Sequence, residues 1–453
     1  MEDQNERRFQ SGKSKDTSQE DRLERRQGGT DSAFGNPPVN VPFTPDTSQH
    51  NDPQSPNLPQ TASRLGDSLE SERPLSESIV LTAEEASLYN HYNVHLGRWM
   101  DCTNASRLLT LRVSEMARHQ LFLHHAVICF ASRHKGDHQK AGDAYHKCIT
   151  LLIPRLEQNP GNDEALLTAV ILLHFADQLS VQSNVGMCDK SHLQGSSGIL
   201  RASQLTRFID PSAPTVREAV FWVYVRQSLY NATIRQQPLD LDFSLQLEPL
   251  ADAVGNQHRL DALRRETAWA NQMLWHTACV ANFCFADTGA QSGQAGTTQR
   301  WQALWTQIRT WRDKRPSSFD PIWAGPSTDE DVFPDIFFTA DWHVISFTFY
   351  HFASILLLTY TPGPKFGMRI IQSEESRLNI IKHAEAICSA SNSSPQNPQL
   401  YIIVCHTVFI WGPLLSNSAK RQKVIYLLET FQNSHFWGTS WIVSALKTEW
   451  GIE

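Results

Sequence analysis

Apolar positions are sparse at the start of the chain and dense after it. Between Met1 and Val80 only 15 of 80 residues belong to the set AVILMFWYC, which makes up 40% of the whole chain. Such a stretch buries too little surface to offset the entropy of ordering it, and this predicts a disordered polar tail over residues 1–80. All 13 Trp fall between Trp99 and Trp450 and all 8 Cys between Cys102 and Cys405, so the folded part is expected over 81–453.

Within that part the apolar spacing is helical almost throughout. Thr82 and Glu85 have the spacing of a capping box, and Leu88, Tyr92, Leu96 and Trp99 then recur on one helix face. Further helices are expected at Glu115–Ser132, Asp137–Leu156 and Glu164–Leu179. The second of these has an inner face of Ala141, Ala144, Tyr145, Cys148 and Leu152, with Pro154 bending its last turn; the third has Asn162 or Asp163 as cap. The pattern continues with Leu193–Phe208, Val216–Arg235, Leu260–Cys284, Thr298–Asp313, Trp342–Tyr360, Ser373–Ala390, Leu400–Leu415, Lys420–Gln432 and Thr439–Trp450. Alternating strand patterns are almost absent. The expected fold class is all-α, a large domain of about a dozen helices.

Breaks fall where Gly, Pro, Ser and Asn gather: Asp287–Thr297, Pro316–Pro334 and Ser389–Pro398. The first is a candidate seam between two helical halves, at 287–297. Two apolar runs, Val344–Tyr360 and Leu400–Leu415, approach membrane-spanning length, yet each contains a His and neither has a basic flank. They read as helices buried on all sides, and no membrane association is expected.

Charge narrows the function classes. The tail carries a net −5 and leaves −2 for the rest of the chain's −7, so neither part has the basic balance that binding to a phosphate backbone favours. The basic residues between Arg7 and Arg26 are interleaved with acids and read as a solvated mixed-charge segment, with nuclear import as the sharper alternative. The polar amino terminus has no apolar signal core, which points to an intracellular protein with reduced cysteines.

No constellation stands out for catalysis. His91 and His95 share a helix face at i and i+4 but lack a third ligand, and His276, Cys279 and Cys284 lie in an apolar run; both groups read as packing. An isoprenoid-synthase-like carboxylate site would need helical acids, whereas Asp329, Glu330, Asp331 and Asp335 sit in a loop. Catalytic, cofactor-binding and metal residues are therefore all expected to be absent.

Along Ala219–Arg235, Trp222, Arg226 and Tyr230 fall at i, i+4 and i+8, which sets a guanidinium between two rings as a cation–π stack or as an internal polar staple held by a buried acid. With Arg235 and Pro238 beyond them, this segment resembles the middle of the fungal-specific transcription factor domain of the ARCA-like type. Other landmarks follow in the family's order: His192-Leu193, Trp269-Ala270-Asn271, Asn282-Phe283-Cys284, Trp301 with Trp311, Arg315-Pro316 with Phe319, Phe333-Pro334, His351-Phe352-Ala353, His383-Ala384, Leu427-Leu428 and Trp437-Gly438-Thr439. Ser228, Ser389 and Pro413 depart from the family's pattern.

The resemblance implies a nuclear regulator of transcription, of the kind that controls a biosynthetic, secondary-metabolite gene cluster, with a possible small-molecule effector. Relatives carry a six-cysteine zinc cluster that reads DNA, and no Cys precedes Cys102 here. Direct specific DNA binding is thus not expected. The implied partners are the transcriptional machinery or a DNA-binding protein. A helical interaction scaffold, and behind it an isoprenoid-type helical enzyme, are the alternatives.

Overall fold

Helices supply nearly all regular structure in the computed structural model, which describes residues 78–158, 163–180, 198, 207–255, 258–286, 294–326, 332–362, 374–435 and 437–452. These all lie in one unit, Glu72–Glu453. The tail expected over 1–80 lies outside the described residues as far as residue 77. The protein is all-α, with four two-residue strands among the described residues.

The first helix begins where its capping box predicts. Thr82 Oγ1 accepts the Glu85 amide at 3.2 Å and the Glu85 carboxylate accepts the Thr82 amide at 2.9 Å. α1 (Ala83–His91) passes directly into a π-helical segment (Tyr92–Gly97) and one further turn, α2 (Arg98–Met100). Leu88, Tyr92, Leu96 and Trp99 are all buried on it, as the spacing required. At Gly97 the chain approaches the next helix so closely that an added Cβ would lie 2.8 Å from Thr110 Cα.

One expected helix is two. In place of Glu115–Ser132 the chain forms α3 (Leu108–Ala117) and α4 (Leu121–His134), separated by a turn that leaves Gln120 extended. Eleven of the fourteen α4 residues are buried but only three of the ten in α3, so the two belong to different layers and the chain turns between them without a Gly or Pro. α5 (His138–Gln158) buries Ala141, Ala144, Cys148 and Leu152 and carries Pro154 inside it. Asp163 caps α6 (Glu164–Ser180) by accepting the amides of Ala165 and Leu166 at 3.0 Å each. The helix expected at Leu193–Phe208 falls mostly outside the described residues, and Phe208 belongs to β1 (Phe208–Ile209), which pairs in parallel with β2 (Gln246–Leu247).

α7 (Val216–Arg235) is the centre of the domain. Fifteen of its twenty residues are buried, and it packs against α3, α6, α8 (Arg259–Phe285) and α12 (Pro398–Trp411). A helix contacted on all sides needs apolar residues all round, which is why no clean amphipathic stripe marks this one. α9 (Gln294–Lys314) packs on α8; its first residues are part of the stretch read as a flexible seam, of which 287–293 lie outside the described residues. A short 3₁₀ turn (Ser317–Phe319) and an antiparallel pair, β3 (Trp323–Ala324) with β4 (Ile336–Phe337), then lead to α10 (Asp341–Thr359).

α10 is long and apolar enough to cross a membrane by composition, and 72% of its apolar window is buried inside the protein, against α8, α11 (Glu374–Ser393) and α12. Twelve of the fourteen residues of α12 are buried as well. α11 runs three residues past its expected end at Ala390, into the expected break Ser389–Pro398, and there the Ser391 and Ser393 hydroxyls return to carbonyls four residues back. α13 (Ser418–His435) and α14 (Ser440–Trp450) close the domain, and one connected set of buried side chains runs from Leu88 to Trp450.

Candidate ligand-binding site

The sequence singled out Trp222, Arg226, Tyr230, Arg235 and Pro238, and the structure spreads them over different jobs. Arg226 is 3% exposed. Its guanidinium donates to the Met100 carbonyl at 2.5 Å and to the Thr103 hydroxyl at 2.9 Å, across more than 120 residues of sequence. The neighbouring Asp101 carboxylate is buried and caps α3, accepting the amides of Leu109 and Thr110 at 3.0 and 2.7 Å and the Thr110 hydroxyl at 2.7 Å. Burial pushes Asp101 up to about 6, against the downward pull of those bonds and of the Arg226 charge. The guanidinium is therefore an internal staple, bonded to a carbonyl and a hydroxyl rather than to an acid.

The rings on either side of it pack elsewhere. Trp222 stands edge-on to Trp275 at 6.4 Å, and Tyr230 meets His406 and Trp437 at 5.5 and 5.7 Å. Arg235 ends α7, whose C-cap Gln236 takes a left-handed φ of 49°, and Pro238 is exposed just beyond. None of the five lines the cavity among the helices that follow.

A cavity of about 230 Å³ opens instead among α9, α10 and α11. α9 contributes Trp311 and Arg312, with Arg315 directly after its last residue; the 3₁₀ turn contributes Phe319; α10 contributes Phe347, Tyr350 and His351; α11 contributes His383. Helical spacing explains the convergence, since 311, 312 and 315, and likewise 347, 350 and 351, fall on one face of their helices. The Trp311 indole is fixed by donating to the Trp269 carbonyl at 2.9 Å. Phe319 is held from behind by a buttress at Glu266, whose carboxylate accepts from Ser318 at 2.7 Å, from the Trp342 indole at 2.8 Å and from His343. Burial works to raise Glu266, and these hydrogen bonds more than offset it, leaving the carboxyl below its usual range and ionised.

Two arginines and two histidines give the cavity its polarity. Arg312 donates to the Tyr350 hydroxyl at 3.2 Å with its guanidinium 5.7 Å from the ring centre, and pairs outward with Asp313 at 3.1 Å. Arg315 lies 6.0 Å from the Trp311 ring centre and pairs with Asp320. The Nδ1 atoms of His351 and His383 are 2.7 Å apart, so one ring donates its N–H to the other. Burial, His383 and the two guanidinium charges hold His351 well below the ordinary imidazole value; burial and Arg312 hold His383 down to about 4. Both rings are neutral at pH 7.

Other candidates resolve as packing. His91 and His95 rings are 4.8 Å apart and His91 Nε2 lies 3.1 Å from His134 Nδ1, but no group of three or more His, Cys, Asp or Glu among the described residues is arranged to hold a metal ion. Cys279 and Cys284 are free, the thiol of Cys284 pointing to the Leu356 carbonyl at 3.8 Å, and burial lowers His276 to about 4. Of the loop acids, Asp335 accepts from Ser393 at 3.0 Å, and Asp329–Asp331 lie outside the described residues.

The sequence does not assemble this cavity, although Trp311, Arg315, Phe319, His351 and His383 are all among the residues that carry the resemblance. Each stood in its own short motif, and the available signal was their shared Arg, His and aromatic character. No family model, curated protein or solved structure matches this chain.

Proposed function

We propose that this chain is the regulatory domain of a nuclear transcriptional regulator of the fungal zinc-cluster type, with the α9–α10–α11 cavity as the seat of a small-molecule effector. The observation that carries the reading is that five residues resembling family landmarks, spread from Trp311 to His383, line one half-open cavity. A pocket walled by rings with a few convergent polar groups is the usual form of a small-molecule site. Its lining offers no nucleophile with an orienting base and acid, so the reading assigns the domain binding and no reaction. Control of a biosynthetic gene cluster follows from the resemblance, with DNA reached through a DNA-binding partner or the transcriptional machinery.

The test is made in the source cell. A fluorescent fusion of the chain should concentrate in the nucleus, and deletion of the gene should change transcript levels of a contiguous set of biosynthetic genes. A protein that stays outside the nucleus, with an unchanged transcriptome on deletion, would overturn the reading in favour of a helical scaffold.

A further inference from the structure

We propose that the α9–α10–α11 cavity binds a small aromatic carboxylate, a single ring bearing one anionic group. For its regulatory meaning this rests on the effector reading above; the binding itself is argued from the cavity.

Size sets the first limit. An engineered cavity of about 150 Å³ accepts benzene, and drug-sized ligands take about 300 Å³ or more. The 230 Å³ here holds one ring and a carboxylate. The walls set the second. Trp311, Phe319, Phe347 and Tyr350 surround the space with π faces and edges, which favour a flat ring over a flexible chain.

Charge sets the third. Two guanidinium groups border the cavity and no carboxylate lines it. The acids that pair with Arg312 and Arg315 stand on the solvent side, Asp313 and Asp320 being 63% and 55% exposed. The Arg312–Asp313 pair, 49% and 63% exposed, is of the kind that is weak and exchanges readily. A guanidinium can therefore turn to a ligand carboxylate, whose two oxygens match its fork. The remaining polar groups, the Tyr350 hydroxyl and the neutral His351–His383 pair, add donors without adding charge. The lining thus presents two guanidinium groups and no carboxylate to the space, which favours an anion there over an aromatic amine.

Isothermal titration of the full chain tests this with four probes: benzoate, its neutral isostere benzamide, the saturated cyclohexanecarboxylate, and inorganic phosphate. Benzoate should bind at least about tenfold more tightly than each of the others, since charge-assisted bonds and ring contacts must both be present. The double variant Arg312→Gln, Arg315→Gln should weaken benzoate about tenfold or more and leave benzamide where it was. Phe347→Trp should abolish binding of both by filling the space. Circular dichroism and melting establish folding of each variant, and Arg312→Lys serves as the milder change. Equal affinity for benzoate and benzamide, tighter binding of phosphate, no heat up to roughly 10 mM benzoate, or affinity indifferent to the folded double variant would each overturn the proposal. A nuclear, transcript-altering protein that ignores benzoate would lose this ligand class and keep its regulatory reading. The reverse result would do the opposite.

Discussion

At Arg226 the protein itself occupies the guanidinium, with the Met100 carbonyl and the Thr103 hydroxyl as partners inside a core that leaves the residue 3% exposed. At Arg312 and Arg315 the same chemistry is directed partly outward: their acids are surface residues, and each guanidinium lies against an aromatic ring, Tyr350 or Trp311. The first arrangement spends an arginine on holding α2, α3 and α7 together. The second leaves two arginines with partners that solvent already loosens. Residue type is alike in the two regions, so an arginine beside aromatic rings reports function only once its partners are known.

Substitution of Arg226 should show the largest effect. Arg226→Leu leaves the Met100 carbonyl, Thr103 and the buried Asp101 without their cation, and should cost about 3–5 kcal/mol in urea denaturation; a loss under about 1 kcal/mol would show that the staple carries no weight. Next comes the buttress. Glu266→Ala strands the Trp342 indole and Ser318 behind Phe319 and should cost about 2 kcal/mol, while loosening benzoate binding with both arginines intact.

Acid reads the two regions with opposite sign. His383 titrates at about 4 in the folded protein against about 6.5 unfolded, so between those values the unfolded chain binds the extra proton and stability falls as pH falls. Asp101 titrates at about 6 folded against 3.8 unfolded, so across that window the folded protein binds the extra proton and stability rises as pH falls. Denaturation midpoints measured from pH 7 to 4 should therefore fall less steeply in His383→Gln and more steeply in Asp101→Asn, each by about one proton in the slope. Parallel slopes would remove the distinction between the regions. The smallest effect belongs to Arg312→Gln, which should change stability by under about 0.5 kcal/mol because its ion pair is exposed.

Local signals were legible in the sequence wherever the partner lies within a few residues. The Thr82–Glu85 box, the Asp163 cap and the limits Val216–Arg235 are all set by neighbours in the chain. The turn at Arg118–Gln120 was not legible, because it is imposed by the different burial of α3 and α4 and carries no helix-breaking residue. Arg226 sits between Trp222 and Tyr230 in the sequence pattern, but its partners come from residues 100–103, and no periodicity encodes a contact of that range. The cavity is hidden for the same reason, since its lining is drawn from residues 311–319, 347–351 and 383.

The close approach at Gly97 has a genetic consequence. Helix propensity alone favours alanine over glycine by about 1 kcal/mol, so an alanine allele at 97 would pass as benign. A methyl group there meets the Thr110 backbone, the residue whose amide and hydroxyl hold Asp101 in place. In a saturation screen, position 97 should tolerate no other residue, and its loss-of-function alleles should share the loss of folded protein shown by those at Asp101 and Arg226.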